Sequence, residues 1–512
     1  MRFYLTTPIY YVNDTPHIGH AYTTVVADVL ARYHRLFGHE TLFLTGVDEH
    51  GQKVQQAADK RGLAPQAHCD EMQKNFRAIW KELNIQHDIF FRTTDEFHKR
   101  AVQKCLQDLW DNGEIYAQDY EGWYSVSEET FFTEKDLVNG KTPQGSDVTR
   151  ITERNYFFRM GSYQERLIRH IEEHPEFIQP DFRRNEVLGF LRKPLQDLCI
   201  SRPKSRLAWG IELPFDKDFV CYVWFDALLN YATGVGYQQP ERAAEFQKWW
   251  QECPPVHLLG KDILTTHAVY WPTMLMALGV ALPRTIFAHG WWLTDGGEKM
   301  SKSKGTVVRP LDIKGVVGVD PLRYFLIREL HLGNDTAFSP EIVVNRVNAD
   351  LANTLGNLFS RSSNIVEKNF DGRVPEVKKR SPASEEILRK VECLHPRVKT
   401  FVEAMQPSRA AEAVIEVVSE ANKFMGDQAP WKQVKENRDA AADTLYTVLE
   451  VIRVAAVLLW PVMPGKMTEL LQRLGVNQAP TFDDAQKIGG LVPGTSMTKG
   501  EPLFPRAELS SV

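Results

Sequence analysis

The chain has 512 residues, too many for one hydrophobic core, so we expect two or three domains. Hydrophobic residues make up 43% of it and charged residues 25%, which is ordinary for a soluble globular protein. A formal net charge of -5 excludes a generally basic nucleic-acid-binding protein, so any RNA site must be a local surface.

Cysteine usage and apolar runs bear on location. The six cysteines include no C-x-x-C pair, which favours a reducing compartment over a disulfide framework. The longest apolar run, Val454 to Val462, is far too short to span a bilayer. The first predicted strand begins within the first three residues, which is expected to leave no room for a signal or transit peptide in this chain. We therefore expect a cytoplasmic protein without a membrane segment.

The first predicted strand runs from Phe3 to Val12 and ends in an Asn13-Asp14 turn. Thr15 is then predicted as a helix N-cap and Pro16 as the first helical residue. Apolar residues at helical spacing predict that this helix continues to about residue 37.

His17 and His20 are expected on the first turn of this helix, where backbone N–H groups and the helix dipole favour an anion. Gly19 between them allows a ligand to approach the backbone closely. Two imidazoles there suit a phosphate whose charge grows during displacement. An H-x-G-H pattern alone could equally be two surface histidines at a helix start.

A second buried strand is predicted at Thr41–Val47, with Asp48 at its carboxyl end. Ligands bind at that edge of a doubly wound sheet, and a carboxylate there can hold an amino group; the alternative is a helix N-cap. Helical patterns at about 65–83 and 95–112 predict the crossover helices of a parallel sheet.

The pattern changes at Asn112-Gly113, and short aromatic segments separated by turn residues continue to about Glu212. This is typical of an insertion between two halves of a nucleotide-binding fold. We therefore predict four segments: 1–112 and 213–334 as the halves of an α/β domain, 113–212 as the insertion, and 335–512 as a separate region.

The second half resumes at Phe219–Ala227, followed by a predicted strand at Pro255–Gly260 and a helix. Ile263, His267 and Trp271 are four residues apart on that helix and share one face. By itself, such a stripe is more often core than a ligand pocket.

A strand at Thr285–Gly290 leads to Gly296-Gly297 and then to Lys299-Met300-Ser301-Lys302-Ser303. Lysines beside small hydroxyl residues on a glycine-hinged loop can close over phosphates. A lone run of lysines is usually solvated surface.

Beyond about residue 335 the pattern is helical and predicts a helix bundle; helices are expected near 320–331, 340–369, 383–405, 408–426, 437–460 and 464–474. Asn353, Asn357 and Arg361 recur every fourth residue, and Pro430-Trp431 is predicted in a connection. Amides and arginine can read base edges and an aromatic ring can stack a base, although a polar surface and a core-plugging tryptophan are the alternatives. The tail beyond about residue 480 is weakly patterned.

Together, the His17–His20 and Lys299–Ser303 motifs resemble the HIGH and KMSKS signatures of the class I aminoacyl-tRNA synthetases. The resemblance is closest to the methionyl-tRNA synthetase family and runs from Phe3 to at least Trp431. It implies an α/β fold with a Rossmann-type parallel sheet, an inserted connective domain and an all-α helix-bundle anticodon-binding domain. It also implies methionine, ATP, Mg²⁺ and tRNA(Met) as substrates and partners.

The resemblance implies a role for each motif residue. His17 and His20 would stabilise the α-phosphate, and Lys299 and Lys302 the departing pyrophosphate. Gly19, Ser301 and Ser303 would join the ATP site, with Glu212 and Asp262 as candidates for the ribose.

Ten residues match the family's methionine pocket: Ile9, Tyr11, Asp48, Trp224, Ala227, Leu228, Tyr231, Ile263, His267 and Trp271. Asp48 would hold the ammonium, and aromatic rings suit a thioether. Leu228 stands where one branch of the family has proline. In the helical domain, Asn353, Asn357, Arg361, Pro430 and Trp431 match the family's site for the CAU anticodon.

Many relatives carry a zinc knuckle in the insertion, but Ser125 and Glu128 stand where thiolate ligands would be needed. We therefore predict no structural zinc there, and no metal site elsewhere. The extra C-terminal tRNA-binding module of dimeric relatives is not found, which favours a monomer.

Three rival functions remain at this stage. A class I synthetase for another amino acid would share both signatures. A small-molecule nucleotidyltransferase would share the H-x-G-H fold but does not explain the helical domain. A synthetase relative that binds RNA without catalysis would not need intact signatures.

Overall fold

The computed structural model describes residues 1–125, 127, 130–132, 134–294, 296–298, 300, 308–329 and 331–508. Within these ranges, no helix combines the length and the apolar character that crossing a bilayer requires.

The first segment alternates strands and helices, because apolar, β-branched runs alternate with residues at helical spacing. Its elements are β1 (Arg2–Tyr11), α1 (Ile18–Leu36), β2 (Glu40–Asp48), α2 (Gln52–Lys60), α3 (Pro65–Glu82), β3 (Ile89–Arg92) and α4 (Glu96–Asp111). The two predicted crossover helices are confirmed as α3 and α4. The short α2 and β3 are not predicted from the sequence.

The insertion forms its own small sheet. Its elements are β4 (Ile115–Ser125), β5 (Thr130–Phe132), β6 (Thr149–Phe158), α5 (Gln164–Glu173), β7 (Ile178–Gln179), α6 (Asp181–Phe190), β8 (Leu198–Cys199) and β9 (Ser201–Pro203). Four of these strands pair antiparallel in the order β5-β4-β6-β8.

The second half of the α/β domain follows. Its elements are β10 (Phe219–Cys221), α7 (Val223–Leu228), α8 (Asn230–Thr233), α9 (Ala243–Phe246), β11 (Val256–Gly260), α10 (Trp271–Ala277), β12 (Thr285–His289) and β13 (Trp292–Leu293). The predicted helix after β11 is irregular: a 3₁₀ turn at Lys261–Ile263 and a π-helical segment at Thr266–Tyr270 precede α10.

The main sheet has six parallel strands in the order β3-β2-β1-β11-β12-β7. The chain runs outward from β1 to β3 on one side and from β11 to β12 on the other. The strand order therefore reverses between β1 and β11, and ligands bind at the carboxyl ends of strands at such a point. The edge strand β7 comes from the insertion.

The remaining elements are almost all helical. They are α11 (Pro310–Val317), α12 (Val319–Glu329), β14 (Thr336–Ala337), α13 (Pro340–Arg346), α14 (Asn357–Asn369), α15 (Pro382–Glu392), α16 (Leu394–Glu403), α17 (Pro407–Gln428), α18 (Pro430–Glu436), α19 (Arg438–Leu459), α20 (Pro464–Arg473) and α21 (Phe482–Gln486). The predicted bundle is confirmed. The prediction of a connection at Pro430-Trp431 is wrong, because proline is favourable in a first helical turn and α18 begins there.

A buried carboxylate joins the helical region to α1. Asp28 of α1 accepts hydrogen bonds from Arg32 Nε and Arg323 Nη2, each at 2.7 Å, and from the Gln86 N–H at 2.7 Å. Arg323 of α12 also donates to the Val462 carbonyl at 2.9 Å, in the turn between α19 and α20. Burial alone would raise the pKa of Asp28, but the two guanidinium groups hold it below its usual value.

Candidate active site

Helix α1 begins later than predicted. Its N-cap is His17, because His17 Nδ1 accepts a hydrogen bond from the Gly19 N–H at 3.0 Å. His20 Nδ1 accepts one from the His17 N–H at 3.3 Å, which completes a reciprocal capping box. Thr15 and Pro16 therefore precede the helix.

The two histidine rings are stacked, with centroids 3.8 Å apart and planes inclined by 25°. Since both Nδ1 atoms accept hydrogen bonds, the proton of each neutral ring is on Nε2. A Cβ at Gly19 would lie 2.9 Å from His17 Cε1, so a side chain there would displace the His17 ring. The helix start thus carries two Nε2–H donors beside the N-terminal end of the helix dipole.

The flanks of the predicted KMSKS loop lie at this helix. The Ile18 N–H donates to the Val308 carbonyl at 3.0 Å. Met300 and Val308 are half-buried and pack against the hydrophobic cluster that contains Ile18. Lys299, Ser301, Lys302 and Ser303 lie outside the described residues.

Asp48 and Tyr11 are neighbours at the carboxyl end of the sheet. They are register partners on the parallel strands β2 and β1, and the Val12 N–H donates to the Asp48 carbonyl at 3.3 Å. Asp48 is only 3% exposed. It does not cap α2, whose N-cap is Gly51, so the N-cap alternative is wrong.

Tyr231 and His267 form a buried polar pair beside these strands. Tyr231 Oη lies 2.8 Å from His267 Nε2, and His267 Nδ1 lies 3.0 Å from the Ile263 carbonyl. The carbonyl has to be met by Nδ1–H, so Nε2 accepts from the tyrosine hydroxyl. Burial lowers the pKa of His267 to about 4, so the ring is neutral at pH 7.

Trp224 forms an aromatic wall between Tyr11 and His267. Its ring is 6.4 Å from the Tyr11 ring and 6.2 Å from the His267 ring, edge-on in both cases. Centroid distances in this range are typical of favourable edge-to-face pairs.

One hydrophobic cluster holds most of the predicted pocket. Leu228, Tyr231 and Trp271 belong to it, and Ile9, Tyr11, Trp224 and Ile263 pack against it. Ala227 lies beside Leu228 on α7 and is 4% exposed.

His257 is a buried residue that sequence reasoning missed. It accepts a hydrogen bond at Nε2 from Trp271 Nε1–H at 3.2 Å, and its Nδ1 lies 2.7 Å from Thr6 Oγ1. Its ring centroid is 4.3 Å from that of Tyr231. Burial lowers the pKa of His257 well below its ordinary value, so it contributes neutral polarity behind the pocket. A histidine within an apolar strand is the signal that could have identified it.

His289 ties the end of β12 to α1 and was also missed. Its Nε2 lies 2.8 Å from Thr23 Oγ1 on α1, and its Nδ1 lies 2.8 Å from the Gly290 carbonyl. Burial lowers the pKa of His289, and the carbonyl fixes the proton of the neutral ring on Nδ1. This contact helps to hold the helix start over the sheet.

The two ribose candidates lie in different surroundings. Asp262 is the second residue after the end of β11, and its Oδ1 accepts a hydrogen bond from Trp291 Nε1–H at 3.3 Å. Glu212 is exposed and forms an ion pair with Lys204 at 2.5 Å. Asp262 is therefore at the crevice between β1 and β11, whereas Glu212 is paired with Lys204, the residue after β9.

Hydrogen bonds between hydroxyl groups and between backbone groups stabilise the loops of the insertion. Ser125 Oγ lies 3.0 Å from Ser127 Oγ, and the Thr142 N–H donates to the Ser146 carbonyl at 3.0 Å. Glu128 lies outside the described residues. In the part of the chain that the structure describes, no group of three or more histidine, cysteine or acidic residues could hold a metal ion.

The predicted anticodon residues lie on the helical region. The Arg361 guanidinium carbon is 5.3 Å from the centroid of the Trp431 ring, and Trp431 is 41% exposed, which does not fit a core plug. Asn353 and Asn357 are also exposed. Asn353 belongs to the π-helical segment Val347–Gly356, so its turn to Asn357 is wider than the α-helical spacing assumed.

Three features together are those of a class I aminoacyl-tRNA synthetase. They are the crevice where the strand order of the parallel sheet reverses, the histidine pair at the start of α1, and the helix bundle that follows the α/β domain. A family model described as "tRNA synthetases class I (M)" matches residues 3–150 and 136–363. A second, described as "Anticodon binding domain of methionyl tRNA ligase", matches residues 374–510.

Individual relatives agree. The chain is 44% identical to a methionine–tRNA ligase of Caldanaerobacter subterraneus subsp. tengcongensis, over 99% of this chain and 79% of that protein. It is 42% identical to that of Bacillus subtilis, over 99% and 78%. A solved Mycobacterium tuberculosis methionyl-tRNA synthetase in complex with methionyl-adenylate superposes with a TM-score of 0.93 at 42% identity, covering 99% of this chain and all of that one. The chain belongs to the methionyl-tRNA synthetase family.

The insertion should not depend on zinc. Ser125 offers a neutral hydroxyl where a knuckle needs a thiolate, so we expect no stoichiometric zinc by elemental analysis of the purified protein. A strong chelator should leave the melting temperature unchanged. One tightly held zinc per chain, or a chelator-induced fall in melting temperature, would contradict this.

Proposed function

We propose that the chain activates methionine with Mg–ATP and transfers the methionyl group to the 3′-terminal ribose of tRNA(Met). The observation that carries this is the meeting of two sites at one edge of the sheet. The Tyr11–Asp48 register pair ends β1 and β2, and His17 begins the helix that follows β1.

In the first step a methionine carboxylate oxygen attacks the α-phosphorus of ATP. The bond from that phosphorus to the bridging oxygen breaks, and pyrophosphate leaves. In the second step a hydroxyl oxygen of the terminal ribose, the 2′-hydroxyl, attacks the carbonyl carbon, and AMP leaves. Neither step needs a protein nucleophile, so catalysis is positioning and charge stabilisation.

The two histidines would donate Nε2–H bonds to the α-phosphate oxygens, whose charge grows during displacement. Lys299 and Lys302 would hold the pyrophosphate, with Gly19, Ser301 and Ser303 completing the ATP site. Asp262 is the ribose candidate that lies at the crevice; the same role for Glu212 stays a prediction. Magnesium arrives with the substrate, since it is usually bound mainly through phosphates and water.

Methionine would enter the aromatic pocket with its ammonium against Asp48. Its thioether is polarizable and makes favourable contacts with aromatic rings, which Trp224 and Tyr11 supply. Tyr231 and His267 satisfy each other and are neutral, so they do not compete with Asp48 for the ammonium.

The helical region would read the anticodon. The exposed Trp431 ring, backed by Arg361, offers a stacking platform, and the exposed amides of Asn353 and Asn357 can bond base edges. We further propose a cytoplasmic location, because all six cysteines are free thiols. A monomeric state stays a prediction.

The deciding experiment is ATP–pyrophosphate exchange with each of four amino acids. We expect exchange with methionine and roughly a hundredfold less with isoleucine, leucine or valine, which lack the thioether. Equal exchange with one of these would favour a synthetase for another amino acid. No exchange with any of them would favour an RNA-binding relative without catalysis.

Replacing His20 by alanine should lower the rate of exchange about a hundredfold or more, the usual scale for losing one fixed donor to developing charge. The KM for methionine should change little, because the imidazole faces the phosphates. His174→Ala, at an exposed position in the insertion, is the matched control and should keep the normal rate. A His20→Ala variant with near-normal exchange would remove the assigned role.

Replacing Trp431 by alanine should lower tRNA charging efficiency about tenfold to a hundredfold, since stacking one base contributes roughly 1–3 kcal/mol. Exchange without tRNA should stay normal, and Trp431→Phe should restore most charging by keeping an aromatic face. If Trp431→Ala instead lowers the melting temperature and charges cognate and anticodon-altered tRNA in equal proportion, the ring is structural and not part of recognition.

A further inference from the structure

A buried carboxylate that the steps above do not use lies behind the methionine pocket. Asp226 of α7 is 1% exposed and accepts hydrogen bonds from His50 Nδ1 at 2.6 Å and from His98 Nε2 at 2.7 Å. Both histidine side chains are buried as well. His98 Nδ1 lies 2.9 Å from Thr233 Oγ1, so a donating hydroxyl there keeps the His98 proton on Nε2.

The electrostatics of this His50–Asp226–His98 group favour an ionised carboxylate at Asp226. Burial alone would raise the pKa of Asp226, but the two imidazoles and their hydrogen bonds hold it below its ordinary value. A buried carboxylate with both oxygens in charge-assisted hydrogen bonds is rigid, and its partners are fixed in orientation.

Two of these three residues, Asp226 and His50, lie close in sequence to residues of the methionine pocket. Asp226 is two residues after Trp224 on α7, and His50 is two residues after Asp48 beyond β2. His98 lies on α4. The Asp226 carboxylate therefore joins the turn that follows Asp48 to the helix that carries Trp224.

The other side of the same turn is held separately. Glu49 is fully buried, pairs with Arg92 Nε at 2.9 Å, and its N–H donates to Thr93 Oγ1 at 2.9 Å. Gly51 has a φ of 101°, and its N–H donates to the Trp209 carbonyl at 3.3 Å. Because Glu49 is bound to Arg92 and Thr93 at the end of β3, His50 is the residue of the turn that contacts α7.

We propose that Asp226 is a positioning residue for methionine: through His50, whose backbone N–H donates to Asp48 Oδ1 at 3.5 Å, it fixes the Asp48 carboxylate that binds the ammonium of the amino acid. His98, oriented by Thr233, holds the other oxygen of Asp226. This inference rests on the proposed role of Asp48 as the partner of the ammonium.

The first test is Asp226→Asn, measured by ATP–pyrophosphate exchange. The amide presents an NH₂ group to one of two imidazole donors, so one bond is lost with almost no change in volume. We expect the KM for methionine to rise roughly tenfold, the scale of one hydrogen bond to a charged group, with the KM for ATP unchanged. An unchanged KM for methionine would overturn the proposal.

A probe without the amino group separates positioning from general damage. 4-(Methylthio)butanoate keeps the thioether and the carboxylate, so its inhibition constant should be the same in the wild type and in Asp226→Asn. Equal weakening of methionine and of this analogue would overturn the proposal. Asp48→Asn should likewise weaken the binding of methionine and leave that of the analogue unchanged. If Asp48→Asn weakens both equally, the role of Asp48 in the proposed function fails. If Asp48→Asn separates the two ligands and Asp226→Asn does not, only the positioning inference fails.

Two further variants keep the test valid if Asp226→Asn does not fold. Thr233→Val removes only the hydroxyl behind His98, and we expect a several-fold rise in the KM for methionine; a wild-type KM would overturn the proposal. Asp443→Asn is the matched control. Asp443 is a 3% exposed carboxylate that accepts from Ser384 Oγ at 2.7 Å in the helical region. It should lower the melting temperature and leave the KM for methionine unchanged.

Discussion

The buried ion network around Asp28 is the constraint on which the arrangement of the molecule depends. A carboxylate inside a protein is stable only when paired and hydrogen-bonded, and Asp28 is satisfied by Arg32, Arg323 and a backbone N–H together. Arg323 also donates a hydrogen bond to the Val462 carbonyl, in the loop between α19 and α20. Helix α1, which carries the histidine pair at its other end, is thereby fixed to the helical region as well as to the sheet.

Desolvation sets the chemistry of the crevice. His257, His267 and His289 are buried and have lowered pKa values, so they are neutral at pH 7. In His267 and His289 a backbone carbonyl holds Nδ1–H and leaves Nε2 to accept from a hydroxyl. These rings supply oriented polarity without charge, and the proposed function therefore assigns the negative charge for an amino acid to Asp48.

Parallel strands and crossover helices were predictable, because apolar runs and helical spacing are local properties. The positions of Asp48 at the end of β2 and of His17 and His20 at the start of α1 were predictable too, because strand ends and helix starts carry local sequence signals. The cap of α1 was not predicted correctly, because imidazole acceptors replaced the expected threonine. The helix at Trp431 was missed because a seven-residue helix has too few residues to show a period.

The sequence by itself determined the class of fold and the two signature motifs, and by resemblance it predicted which residues would form an amino-acid pocket. Only the tertiary structure decided which buried polar groups meet. His50, His98 and Asp226 are 48 and 128 residues apart along the chain, and Tyr231 and His257 are brought together from two different elements. Such pairings depend on how strands and helices pack, and no local propensity encodes the partner of a buried carboxylate or imidazole.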